Sequence, residues 1–206
     1  MLTDAEEDNS GDPLADATTG ATLMENTGSG NSPSIPPTGG KRPPADRGDL
    51  DMRIARDGTW HYRGSPISRQ PLVKLFASVL RREPDGSYWL VTPAERGRVE
   101  VEDAPFVAVE LNVSGKGHKQ QLIFRTNLDD IVTAGSDNPL RIETAASGEP
   151  APYILVRRRL EARLARPVFY ELVELGGEAV VDGTAQFGVW SNGVFFRLGD
   201  PGEDWQ

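Results

Sequence analysis

Leu72-Val73-Lys74-Leu75-Phe76-Ala77-Ser78-Val79-Leu80, followed across Pro84-Asp85-Gly86 by Tyr88-Trp89-Leu90-Val91, is the stretch whose reading decides the fold. Leu72, Leu75, Phe76 and Val79 fall at i, i+3, i+4 and i+7, the apolar stripe of an amphipathic helix. Ser68 is the expected N-cap, with Pro71 tolerated in the first turn. Arg81 and Arg82 complement the C-terminal end of the helix dipole. Tyr88 to Thr92 is aromatic and β-branched, the composition of a strand. The same idea returns downstream. Leu155-Val156-Arg157-Arg158-Arg159-Leu160-Glu161-Ala162-Arg163-Leu164 reads as a second helix, with Val156, Leu160 and Leu164 on its inner face, and Tyr170-Glu171-Leu172-Val173 reads as the strand after it. Arg53-Ile54 and Arg141-Ile142 stand ahead of the two helices. Each half is thus expected to end helix, strand, strand, strand. The predicted class is α+β: two similar domains, each a mostly antiparallel sheet packed on one main helix. Duplication places a seam between two bodies, and ligand pockets form at seams.

Working outward, Trp60 and Tyr62 are two apart and share one face of a short strand. Gly64-Ser65-Pro66 interrupts it, with Ser65 forced extended by Pro66. Val99–Val101 and Phe106–Val113 are further strands, turned by Asp103-Ala104-Pro105. The domain boundary is placed in the polar loop Ser114–His118, giving an N-terminal domain over 48–116 and a C-terminal domain over 117–202. In the second half Gln121–Arg125, Ile131–Thr133 and Leu140–Glu143 are short strands, and Thr126–Asp130 is a turn. Val168–Leu175 is read as a strand. Phe187–Trp190 and Val194–Leu198 form a hairpin across Asn192-Gly193, the strongest short-range turn signal in the chain.

Residues 1–47 contain no aromatic side chain and are rich in Gly, Ser, Thr, Pro, Asp and Glu. Such a segment buries too little apolar surface to offset its ordering entropy, so it is expected to be a disordered leader. Residues 1–40 hold seven acids and no Lys or Arg, leaving 24 acids against 22 bases in the remainder of the 206 residues. The net charge of −9 therefore belongs mainly to the leader. A nucleic-acid partner is not expected, because the body lacks the basic field that displaces counterions. The absence of cysteine excludes disulfides and thiolate chemistry. No apolar run approaches the length of a membrane span, and the acidic N-terminus has no apolar signal core, so a cytoplasmic protein without membrane attachment, and a monomer, is expected.

No catalytic motif stands out. Gly39-Gly40-Lys41 and Gly115-Lys116-Gly117 lack the spacing and following helix of a phosphate loop. The two histidines, His61 and His118, have no carboxylate at ligand spacing in a helix, and there is no Gly-x-Ser-x-Gly elbow. Arg157, Arg158, Arg159, Arg163 and Arg166 place five guanidiniums in ten residues. They form either a solvated face or, where one or two turn into the seam, an anion site of bidentate forks. Thr92 and Glu95 flank Pro93 at a strand end and are either a strand terminus or a pocket rim. Arg69 and Lys74, about a helical turn apart, would add charge to that rim. Trp60 is either core packing or a stacking surface for a base.

At these residues the chain resembles a bacterial family, domain of unknown function 1285. The resemblance is carried by Arg56-Asp57-Gly58-Thr59-Trp60, Gly64-Ser65-Pro66-Ile67, the Leu72–Leu80 segment, Leu90-Val91-Thr92-Pro93 and Glu102-Asp103-Ala104-Pro105-Phe106-Val107. Later come Asn127-Leu128-Asp129-Asp130, Pro139-Leu140, Tyr153, the arginine-rich segment, Phe169-Tyr170-Glu171-Leu172 and Gly188-Val189-Trp190-Ser191 with Gly193. It covers about residues 48–200 and not the leader. Ala94 and Arg96 stand where the pattern has Val and Lys. The resemblance implies two α+β domains with repeated motifs, the second loosely pleckstrin-homology-like. It also implies a groove between them for a nucleotide-like ligand and a role in signal transduction or oxidative stress. It supplies no catalytic residue, and no cofactor or metal is expected.

The resulting expectation is a non-enzymatic protein that binds an anionic, nucleotide-like small molecule between its two halves. Candidate contacts are Trp60, Arg69, Lys74, Thr92, Glu95, Arg125, Asn127 and Arg158. Two other readings stay open: an interaction module that engages a signalling protein without a small ligand, and a metal-assisted nucleotide hydrolase using Glu95 or Asp130.

Overall fold

The computed structural model describes residues 43–145 and 148–199. The leader falls almost wholly outside the described residues; its last three positions, 45–47, already belong to the first strand. The first sheet is built from β1 (Ala45–Ile54), β2 (Trp60–Tyr62), β3 (Ser65–Pro66), β4 (Leu80–Arg82), β5 (Tyr88–Val91) and β6 (Glu95–Val101), in the order β3-β2-β1-β6-β5-β4. Helix α1 (Gln70–Val79) joins its two three-stranded meanders. The second sheet contains β7 (Phe106–Ser114), β8 (Gln121–Thr126), β9 (Ile131–Thr133), β10 (Leu140–Thr144), β11 (Pro150–Arg157) and β12 (Leu160–Leu164), in the order β10-β11-β12-β7-β8-β9. Helix α2 (Arg166–Glu174) and a three-stranded sheet of β13 (Gly177–Val181), β14 (Thr184–Ser191) and β15 (Val194–Gly199) complete the described chain.

The duplication is written in the strand order. Each large sheet is two antiparallel meanders joined through one parallel pair, its first strand against its last: β1 with β6, and β7 with β12. The fold is α+β, two domains each with a mostly antiparallel sheet and one helix. Helix and three strands do close each half, as α1-β4-β5-β6 and α2-β13-β14-β15.

The second helix is not where the arginine pattern put it. Leu155–Leu164 is a β-hairpin, with Arg158 and Arg159 at its tip, both at positive φ (46° and 70°). Ile154, Val156, Leu160, Ala162 and Leu164 alternate toward the core. The spacing of Val156, Leu160 and Leu164 satisfies periods of both 3.6 and 2, and sheet pairing decides between them. Conversely, the predicted strand 168–175 is α2. Pro167 sits in its first turn, where a missing N–H costs nothing, and Val168, Phe169 and Leu172 are buried on one side. Strand Phe106–Ser114, assigned above to the first half, belongs to the second sheet.

Helix α1 forms as expected but is rotated. Val73 and Ala77 face the core, with Leu80 closing the stripe, whereas Leu75 is 61% exposed. Its N-cap is Arg69, not Ser68, with no side-chain cap bond. The Asn192-Gly193 hairpin stands as read, both residues having positive φ between paired Ser191 and Val194.

One apolar core runs through both large sheets, from Met52, Ile54 and Trp60 through Phe106, Phe124 and Ile154 to Leu198. The seam between the sheets is therefore not hollow along its length, contrary to the expected open groove. Polar pairs close more of it. Glu161 accepts two bonds from Arg141, at 2.6 and 2.8 Å, and lies 3.3 Å from Arg82 of the first sheet. Arg157 reaches both Asp130 at 2.7 Å and the Ala77 carbonyl near the end of α1 at 3.2 Å.

Candidate functional site

Where the core thins, a cavity of about 710 Å³ remains. That is the size range of small-molecule sites. It is made by both sheets and by α2. The β1–β2 turn supplies Arg56 and Asp57, β7 supplies Val107, and the start of β11 supplies Pro150 and Pro152 after Gly148 and Glu149. The end of β12 and the first two turns of α2 supply Arg163, Leu164, Ala165, Arg166, Phe169 and Tyr170.

Two devices fix the first-sheet turn over the second sheet. Gly58 has φ +82°, and a Cβ there would lie 2.4 Å from Nδ2 of Asn127, so the turn needs glycine for conformation and for close approach. Asn127 then stitches the two sheets: Nδ2 donates to the Gly58 carbonyl (3.3 Å) and Oδ1 accepts from the Val107 amide (3.0 Å). The Asp57 carboxylate accepts from the Thr59 amide at 2.9 Å, closing the turn locally.

The second device is Asp103, in the linker between the sheets. Its side chain is 9% exposed. It accepts from Tyr153 Oη at 2.7 Å and from Arg163, and pairs with Arg56 at 3.5 Å. Burial opposes its ionisation, but the Tyr153 and Arg163 hydrogen bonds and the Arg163 and Arg56 charges prevail, holding its pKa below the ordinary aspartate value. The same contact, after burial, pushes Tyr153 up to about 12. Arg141, Tyr153 and Arg163 are register partners across β10, β11 and β12, so they share a face, and the Arg141 guanidinium lies 4.4 Å from the Tyr153 ring centre. Asp103 thus anchors one guanidinium from each sheet at the cavity wall.

On α2, Arg166 Nε donates to Tyr170 Oη at 2.8 Å, one helical turn on, with the guanidinium 5.6 Å from the ring centre. Phe169 is buried beside them and Tyr170 is 37% exposed. The cavity therefore offers three guanidiniums, an apolar floor and an exposed phenol ring.

None of the eight sequence candidates lines this cavity. Trp60 is 1% exposed and stacks on Phe76 at 6.2 Å within the core, so it presents no face to a base. Lys74 and Arg125 are brought together, but on Asp129, at 2.6 and 3.1 Å, and Arg125 also bonds Glu110 at 2.6 Å. Thr92 and Glu95 close a turn on each other through the Thr92 hydroxyl, and Glu95 pairs with Arg47 at 2.8 Å. Arg69 sits at the exposed N-cap of α1, and Arg158 at the β11–β12 tip. Asn127 alone bears on the cavity, as the residue that positions the Arg56 turn. A smaller cavity of about 300 Å³ lies between Arg82, Gly86 and Arg159.

Sequence reasoning counted Arg163 and Arg166 in the cluster from which one or two arginines could turn into the seam but put forward Arg158 instead, and missed Arg56, Asp103 and Tyr170. Arg56-Asp57-Gly58 carried a legible turn signal. The pairing of Asp103 with Arg56 and Arg163, 47 and 60 positions away, is a product of sheet topology and leaves no local trace. Among the described residues no three His, Asp or Glu side chains gather as a metal site, and no helix is long and apolar enough to cross a membrane.

Comparison with known proteins accords with this architecture. The N-terminal domain model of domain of unknown function 1285 matches residues 36–104, and the C-terminal domain model of the same family matches residues 105–198. The two matches meet beside Asp103. The chain is similar to a DUF1285 family protein from Silicibacter pomeroyi DSS-3, known from a crystal structure, with 51% identity over 76% of this chain and 84% of that one, at a TM-score of 0.71. A second, from Shewanella baltica OS155, has 26% identity over 61% of this chain and 91% of that one, at a TM-score of 0.48. Among curated proteins no match is found. With both domain models matched in sequence order and half of the aligned residues shared with a solved relative, the chain belongs to the DUF1285 family.

Proposed function

We propose that the protein is a non-enzymatic binder of an anionic, nucleotide-like small molecule, held in the 710 Å³ cavity, and that it acts in bacterial signal transduction or stress response. One observation carries the reading: guanidiniums from both sheets and from α2, those of Arg56, Arg163 and Arg166, meet at one cavity beside the Tyr170 ring. Guanidinium forks suit phosphate and carboxylate oxygens, and an exposed aromatic ring offers a stacking face. The residues on which the family resemblance rests also collect here: Arg56-Asp57-Gly58, Asp103, Asn127, Tyr153 and Phe169-Tyr170. The carboxylates of the hydrolase reading lie outside this cavity and in ion pairs. Asp129 is held by Lys74 and Arg125, Asp130 by Arg157, and Glu95 by Arg47.

A ligand that binds only the folded state raises the melting temperature by mass action. Screening nucleotides and small organic acids against the full chain is expected to give a concentration-dependent rise that disappears in Arg56→Ala/Arg166→Ala. A flat response across the panel at millimolar ligand overturns the proposal.

A further inference from the structure

The charges around the cavity say more about its ligand than its size does. Arg56, Arg163 and Arg166 line it, but so do Asp57, whose carboxylate also accepts from the Thr59 amide, and Glu149. Both acidic residues are exposed, and neither makes an ion pair among the described residues. Immediately behind the wall lies Asp103, which already holds Arg163 and takes a share of Arg56. Among the described residues no carboxylate forms an ion pair with Arg166. Its Nε donates to the Tyr170 hydroxyl, and the Glu149 charge adds a smaller stabilisation of the guanidinium. Among the described residues, then, the three positive groups are matched in number by Asp57, Glu149 and Asp103, of which Asp103 alone is ion-paired to them, and Arg166 with the open side of Arg56 is left to receive an incoming anion. Arg56 is well placed for this, since its side chain is 68% exposed and its contact with Asp103 is long, at 3.5 Å. The floor between these charges is apolar: Val107, Pro150, Pro152, Leu164 and Phe169.

Such a site neutralises one anionic group. A di- or triphosphate tail brings more negative charge than two partly engaged arginines offset, and its outer phosphates run against Asp57 and Glu149. Like charges at a few ångströms are strongly unfavourable even at a partly exposed site. We infer that the cavity selects ligands with a single anionic group at one end of a flat or apolar body, a monophosphate or a monocarboxylate, and discriminates against polyphosphates. This rests on the binding reading above and narrows its ligand class. Asp57 and Glu149 act as the repulsive element that specificity requires alongside attraction.

The experiment is calorimetric titration of the full chain at low salt, without divalent metal, with adenosine, AMP, ADP, ATP and indole-3-acetate. AMP or indole-3-acetate is expected to bind more tightly than adenosine. Affinity is expected to fall from AMP to ATP by at least about tenfold, the scale of one unfavourable charge contact. In Asp57→Asn/Glu149→Gln, whose side chains keep their shape and, at position 57, the acceptor that closes the turn, that gap is expected to shrink to about twofold or less. Binding of indole-3-acetate without AMP supports the charge rule and removes the nucleotide-like body from the function reading. ATP binding as tightly as AMP, a gap untouched by the double variant, or adenosine binding as tightly as AMP overturns the inference while leaving a binding protein. Heat from none of the five overturns both.

Discussion

Replacing Asp103 by Asn tests whether one carboxylate fastens the two sheets beside the cavity. The change keeps the shape and one acceptor but removes the charge that Arg163 and Arg56 share. Breaking a fully buried pair costs about 3–5 kcal/mol. Here the Arg163 side chain is 24% exposed and recovers some hydration, and the exposed Arg56 contact contributes little. A charge-assisted hydrogen bond is worth about 1.5–3 kcal/mol. Together these place the loss at roughly 2–3 kcal/mol, or a fall in melting temperature of about 5–10 °C for an ordered body of this size. The pH dependence follows from the lowered Asp103 pKa. A depressed carboxylate contributes its full stabilisation above the unfolded value of about 3.9 and loses it as pH falls through the lower folded value. The difference between wild type and variant, by urea unfolding, is therefore expected to be flat from about pH 5 to 8 and to close toward pH 3. Tyr153, pushed up to about 12 by burial and by Asp103, is expected to titrate closer to 10 in the variant, read from tyrosinate absorbance. A loss below about 0.5 kcal/mol, within the range of an ordinary surface change, or a difference that persists unaltered into acid, refutes the reasoning.

Three further outcomes follow from the geometry. Gly58→Ala combines a left-handed φ with a Cβ 2.4 Å from Asn127 and is expected to cost about 2–3 kcal/mol in urea unfolding, where an exposed turn alone costs about 1. Replacing the hairpin tip by Asn-Gly (Arg158→Asn/Arg159→Gly) relieves two positive-φ arginines and is expected to raise stability by about 1 kcal/mol, leaving ligand response unchanged. Arg69→Ala/Arg158→Ala, two candidates that the fold places away from the cavity, is expected to retain full ligand-induced stabilisation where Arg56→Ala/Arg166→Ala loses it, by thermal shift.

The α+β class was legible because it is carried by local pattern: the amphipathic period of Leu72–Val79, the Tyr88–Val91 run and the Asn192-Gly193 turn. The duplication was read from a helix at 155–164 and a strand at 170–173, whereas the repeat lies in the order of the strands. The second helix was misplaced because Val156, Leu160 and Leu164 fit two periodicities at once. Arg158-Arg159 also gives no turn signal, since arginine seldom occupies the left-handed region. Arg166-Pro167 did mark the true helix start, at a position read instead as the approach to a strand. The rotation of α1 was illegible for a different reason. Leu75 and Val73 are equally apolar, and only the position of β5 beneath the helix decides which is covered. The site was least legible of all, since Arg56, Asp103 and Arg163 are joined by pairing between strands far apart in sequence. Arg158, the one arginine of the cluster put forward as a contact, went to a hairpin tip, and its neighbour Arg157 to a structural ion pair.

A crystal structure of the full chain soaked with AMP puts the binding cavity to its sharpest test. The phosphate is expected between Arg56 and Arg166 with the base against Tyr170, while Asp103 keeps its hold on Arg163. Phosphate bound instead beside Arg82 and Arg159, or a 710 Å³ cavity left empty at saturating AMP while ligand binds elsewhere, contradicts it.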